Sequence, residues 1–144
     1  MAGDGHALAM SVLAWSQDIS AEACNDAGAA LATKDELLSR SDAISLHLVL
    51  SPRSHHTIGA AEIALMKPGA ILINSSRSES IDQDALVAAL GAGRICAGLD
   101  VYDREPLAAD DRMRRLPHTV VTPQLGYSVA ETQSPFSTAR QFGL

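Results

Sequence analysis

Aromatic residues are scarce, 3% of 144 positions with a single tryptophan, so the core cannot rest on stacked rings and must be packed from aliphatic side chains. Cysteine is nearly absent too. Cys24 and Cys96 lie far apart with no CxxC pair, which excludes a disulfide framework or a cysteine zinc site and predicts two buried thiols. The net charge of -6 is spread without a basic block, so counterion release has no source and nucleic acid is not an expected partner. No apolar run approaches the roughly 20 residues that cross a bilayer, and the N-terminus lacks a basic flank followed by an apolar core. The expected location is the cytoplasm, away from membrane. Of the five histidines, His55 and His56 are adjacent in a polar loop without a carboxylate cluster, and no metal site is expected.

Ala, Leu, Ile and Val supply most of the 47% apolar residues, a stock suited to helices packed on a buried parallel sheet. The length allows one compact unit with a real core. Short apolar runs, Ser11 to Trp15, Ala43 to Leu48, Ala70 to Ile73, Ala97 to Val101 and Thr119 to Thr122, read as strands. Helix signals separate them. Ser20 caps Ala21 to Ala27, with Gly28 suited to the left-handed position that ends it. Thr33 and Glu36 form a capping box before Leu37 and Leu38. A helix from about Ala60 to Met66 stops at the turn Lys67-Pro68-Gly69. Another, capped by Asp82, buries Ala85, Leu86, Ala89 and Leu90 before Gly91 and Gly93 end it. The segment Ser128 to Phe142 reads as a helix broken near Pro135. This alternation predicts an α/β fold of repeated βα units.

In an open parallel sheet, ligands meet the carboxyl ends of the strands. Those ends are polar here: Asn74-Ser75-Ser76-Arg77, then Asp100-Val101-Tyr102-Asp103-Arg104-Glu105-Pro106, then Thr122-Pro123-Gln124-Leu125-Gly126.

Lys67-Pro68-Gly69-Ala70, the Asn-Ser-Ser-Arg run, Leu99-Asp100-Val101 and Glu105-Pro106-Leu107, in this order and spacing, resemble the D-isomer-specific 2-hydroxyacid dehydrogenases over nearly the whole chain. The resemblance implies a Rossmann-like cofactor domain and hydride transfer between a nicotinamide and C2 of a small 2-keto or 2-hydroxy acid. Arg77 matches the arginine that grips the substrate carboxylate, a role suited to a permanently charged planar fork. Glu105 matches the glutamate that keeps a catalytic histidine protonated. Gln124 occupies that histidine's place. An amide donates a hydrogen bond but surrenders no proton at accessible pH. His118, the nearest histidine in sequence, begins the strand at its far end and is expected to be a solvated loop residue.

Cofactor positions carried over are Asp100 near the nicotinamide carboxamide, Ser75, Ser76 and Arg77 beside its ribose, His47 and Leu48 over the adenosine half, and Gln124 and Gly126 after the last strand. His47 reads equally well as a packed structural residue. Ser16 stands where an acid usually bonds the adenosine ribose. Gln17 and Asp18 beside it offer no cation for a 2′-phosphate, so the cofactor is NAD or NADP, with NAD slightly preferred.

The family's Gly-rich turn is not found. Gly3-Asp4-Gly5 imitates its start, but Leu8 takes the third glycine's place and no strand precedes it. Residues 1–144 thus read as a partial dinucleotide-binding domain, truncated at its first βα unit, with flanking strands left with an unpaired edge. Ser78, where the family prefers glycine, and Glu79 are further departures. A homodimer is expected, since relatives pair through this domain. The rival readings are a non-catalytic dinucleotide-binding or dimerisation module and an inactive truncated fragment.

Overall fold

The caps read from the sequence start the helices of the structure, a computed structural model that describes residues 2–125. A short helix α1 (Ala2–Ala7) leads to strand β1 (Leu13–Ala14). Ser20 accepts the Ala23 N–H at 3.1 Å to open α2 (Ala21–Asp26), and Gly28 at φ 74° turns the chain into β2 (Ala30–Leu31). Thr33 and Glu36 exchange bonds of 3.2 and 2.9 Å at the start of α3 (Lys34–Arg40), which precedes β3 (Ala43–Leu46).

A longer loop then reaches α4 (Ala60–Leu65), whose Glu62 accepts the Gly59 N–H at 3.0 Å. Arg94 reaches the other end of α4 and donates to Ala64 O at 3.1 Å, placing a cation at the negative helix terminus. The Lys67-Pro68-Gly69 turn closes with Ala70 N–H on Lys67 O at 3.0 Å and Gly69 at φ 77°, and feeds β4 (Ile71–Asn74). Beyond a 3₁₀ turn at Ser78–Ser80, Asp82 caps α5 (Gln83–Gly91), which is followed by β5 (Cys96–Leu99). A second 3₁₀ turn (Arg112–Arg115) precedes β6 (Thr119–Val121).

All pairings are parallel, in a sheet ordered β3-β4-β5-β6 and a separate pair β1-β2. Because the larger sheet grows in one direction, right-handed crossovers put α4 and α5 on the same face. Burial agrees. Ile44, Leu46, Leu72, Ala97 and Leu99 point into the core with Leu38, Ile63, Met66, Leu86 and Leu90. The residues between them face outward: Ile71 is 44%, Ile73 37% and Val120 67% exposed, so the described residues leave that face uncovered.

The fold is therefore a Rossmann-like parallel sheet with flanking helices, with several differences in detail. The strand expected over Ser11 to Trp15 is confined to Leu13–Ala14, and its partner Ala30–Leu31 was not foreseen. A strand of two residues between Gly28 and the capping Thr33 is too short to show a run of alternation. The strand expected to reach Leu48 stops at Leu46, leaving exposed His47 and half-buried Leu48 in the loop. The other strands shift by a residue or two, ending at Asn74, Leu99 and Val121. Gly91 is the last residue of α5, and Gly93 at φ 65° makes the left-handed turn after it. Cys24 is buried, whereas Cys96 is only half buried because it pairs with Ile71 on the uncovered side. The segment Ser128 to Phe142 lies outside the described residues, and no described helix is long and apolar enough to cross a membrane.

Two measurements test this packing. Leu72→Ala should lower the free energy of urea unfolding by about 2–5 kcal/mol, while Ile71→Thr one position earlier should change it by less than about 1 kcal/mol. Similar losses at both positions would contradict the one-sided core. The second concerns Glu62, which joins α3 to α4 through Lys34 at 2.7 Å. The Lys34 bond, aided by the Gly59 N–H, holds its carboxyl below the ordinary value near 4.5. A lowered folded-state pKa stabilises the fold above the ordinary value, and that contribution fades as pH falls through the lowered one. Glu62→Gln should thus cost about 0.5–1 kcal/mol at neutral pH, and its gap from the parent should narrow as pH falls below the ordinary value near 4.5.

Candidate active site

Adjacent carboxyl ends of β4, β5 and β6 form the crevice. β4 ends in Asn74, only 1% exposed, whose amide folds the next turn. Its Nδ2 donates to Arg77 O at 2.8 Å, and its Oδ1 accepts the Ser76 N–H at 3.1 Å and the Ser76 hydroxyl at 3.2 Å. That turn sets where Arg77 departs. The exposed Arg77 guanidinium donates to Ser76 O at 2.7 Å and forms no salt bridge among the described residues. Ser75 and Ser76 are half buried in the same turn. Glu79 follows, its carboxyl held below the usual range first by its own N–H and then by the Ser78 hydroxyl, with the charges of Arg77 and His55 adding to the effect.

The end of β5 is tied to both neighbours. Asp100 donates its N–H to Asn74 O at 3.0 Å, while its buried carboxylate accepts the Thr122 hydroxyl and, at 2.8 Å, the Leu125 N–H. Thr122 N–H in turn donates to Leu99 O at 2.9 Å. Tyr102 adds a second tie: its hydroxyl lies 2.9 Å from Leu99 O and 2.8 Å from Thr122 O, one proton shared between two carbonyls. Burial pushes this phenol's pKa above its ordinary value. The Tyr102 N–H donates to Glu105 Oε1 at 3.0 Å, anchoring that carboxylate at the start of the loop. Arg114 holds the far side of the loop through Leu107 O at 2.7 Å and Ala108 O at 2.8 Å.

Glu105 and Gln124 line one cleft of about 490 Å³ together with Tyr102, Leu107, Arg114 and Thr122. Gln124 is held at φ 56°, a left-handed conformation uncommon for a side-chain-bearing residue, just before the Leu125 N–H that Asp100 accepts. Arg77 and Asp100 occupy the adjoining strand ends but do not line this cleft. Gly126 lies outside the described residues. His118 is exposed at the opposite end of β6, far from the crevice, as expected of a solvated residue. Asn74, Tyr102 and Arg114 had no assigned role from sequence. Asn74 and Tyr102 were visible inside the motifs, but their bonds to backbone carbonyls carry no spacing signature.

At the end of β1, Ser16 Oγ accepts the Asp18 N–H at 3.5 Å. Gln17 Nε2 donates to Arg53 O at 2.7 Å, and Arg53 Nη2 lies 3.0 Å from both oxygens of Asp18. Arg53 comes from the loop after β3, where nothing in the sequence pointed to this meeting. His47 pairs with the Ser45 hydroxyl at 2.9 Å.

These groups put a hydroxyl and polar side chains at the end of β1, and a carboxylate that accepts from Thr122 and Leu125 at the end of β5. No glycine turn for a pyrophosphate occurs among the described residues. Gly3 and Gly5 lie within α1, where a Cβ on Gly5 would stand 2.9 Å from Val12 Cγ2, so that glycine serves close packing.

Comparison with known proteins agrees with this architecture. Residues 1–126 match the family described as D-isomer specific 2-hydroxyacid dehydrogenase, NAD binding domain. A glyoxylate/hydroxypyruvate reductase B of Klebsiella pneumoniae is 46% identical over 100 residues, 69% of this chain and 31% of that protein. Among solved structures, a phosphoglycerate oxidoreductase of Vibrio cholerae superposes with a TM-score of 0.86 at 28% identity, covering 99% of this chain and 48% of that one. An acyclic imino acid reductase in complex with NADPH and D-Arg gives 0.77 at 30% identity, covering 92% and 41%. The chain thus spans less than half the length of these relatives. By its sequence and by its parallel sheet, it belongs to the D-isomer specific 2-hydroxyacid dehydrogenases and corresponds to their NAD binding domain.

Proposed function

We propose that this chain provides the cofactor-binding part of an NAD(P)-dependent oxidoreductase that reduces small 2-keto acids to D-2-hydroxy acids. The observation that carries the reading is the arrival of Glu105 and Gln124 in one cleft, with Arg77 and Asp100 on the adjoining strand ends. Arg77 would grip the substrate carboxylate through its guanidinium fork. Gln124 would donate an amide hydrogen bond to the keto oxygen, orienting it without delivering a proton. Glu105, fixed by the Tyr102 N–H, would be the acceptor beside it. Asp100, Ser75 and Ser76 would meet the nicotinamide end, and Ser16, His47 and Leu48 the adenosine end. A bound reduced nicotinamide would supply the hydride to C2, and the alkoxide so formed would take its proton from solvent water, since the Gln124 amide has none to give.

Glyoxylate and hydroxypyruvate, named for a relative, are the first substrates to test, with NADH and with NADPH. The parent should turn over slowly, and Gln124→His should raise kcat by about 10²–10⁴-fold while adding a limb to the pH–rate profile near neutrality. Arg77→Gln should lower kcat/KM for every 2-keto acid. A Gln124→His variant that binds cofactor yet stays as slow as the parent would reject the catalytic reading.

Gln124 also favours a second reading, a non-catalytic dinucleotide-binding module, because an amide cannot serve as acid or base. Cofactor binding without turnover, before and after Gln124→His, would be its signature. A cytoplasmic homodimer belongs to both readings, with the uncovered face of the sheet as apolar surface that a second copy would bury; sedimentation of the purified chain measures that association.

A further inference from the structure

Choice between a 2′-hydroxyl and a 2′-phosphate depends on the charge near the ribose, and Ser16 itself brings none. The next two residues both hold Arg53. Gln17 fixes its backbone carbonyl at 2.7 Å, and both Asp18 oxygens lie 3.0 Å from its Nη2. Asp18 is linked back to Ser16 through its N–H at 3.5 Å, so a guanidinium stands one residue-to-residue link beyond the hydroxyl. Lys34, the cation 5.8 Å from the Trp15 ring centroid, is already committed to Glu62 at 2.7 Å.

On the cofactor-binding reading above, we propose that Arg53 is the specificity-determining cation for the nucleotide's 2′ position and that Asp18 withholds it. A guanidinium bonds phosphate oxygens through a planar fork, whereas a carboxylate at the same place repels a phosphate and tolerates a hydroxyl. Side chains 60% and 78% exposed make the Arg53–Asp18 pair weak and readily redirected. Asp18 thus favours NAD, and loss of its charge frees Arg53 for NADP. The cation comes from the loop after β3, where a reading of the residues that directly follow β1 does not find it.

The test measures dissociation constants by calorimetry for NAD⁺ and NADP⁺, and for AMP and adenosine 2′,5′-bisphosphate as probes without a nicotinamide. Asp18→Asn should tighten NADP⁺ and the bisphosphate about tenfold while moving NAD⁺ and AMP by less than about twofold. Adding Arg53→Gln should abolish the gain, and raised salt should diminish it. Circular dichroism checks that both exposed substitutions leave the fold intact. Equal tightening of all four ligands, no change in any, or a gain that survives Arg53→Gln would overturn the assignment. Failure of the parent and both variants to bind any of the four would overturn the cofactor-binding reading itself, and this inference with it.

Discussion

The Asp100 carboxylate joins the ends of the strands into one surface. It accepts from Thr122 and Leu125 on one side, while its own N–H reaches Asn74 on the other. A buried carboxylate is costly unless its lone pairs are satisfied, so these donors stabilise the charge and fix the loops that supply them. Asn74 acts likewise within a single turn. The positions of Arg77 and Gln124 both follow from buried polar groups, Asn74 and Asp100, that bond the turns carrying them.

Much of this was legible in the sequence. Ser20, Thr33 and Asp82 cap helices, and Gly28 and Gly69 adopt the left-handed conformation that their turns require, because capping and turn chemistry act over three or four residues. The order of polar strand ends could be read for the same local reason. What escaped is non-local or too short to form a pattern: β2 is two residues long, Arg53 meets Asp18 from 35 residues away, and Tyr102 binds a carbonyl 20 residues on. Cys96 was misjudged because a half-covered strand looks, residue by residue, like a fully covered one.

The end of β1 and the ends of β5 and β6 are held differently. At β5 and β6 the contacts are half buried and bond to backbone, which suits groups that must keep their geometry. At β1 they are exposed charges on long side chains, tuned by single substitutions at little cost to the fold.

The scarcity of aromatic residues gives the chain a built-in optical probe. Its single tryptophan, Trp15, directly precedes Ser16 and has the Lys34 ammonium 5.8 Å from its ring centroid. Its emission therefore registers events at the end of β1 with no second indole to blur the signal. A single indole thus lets the end of β1 be followed without an added label.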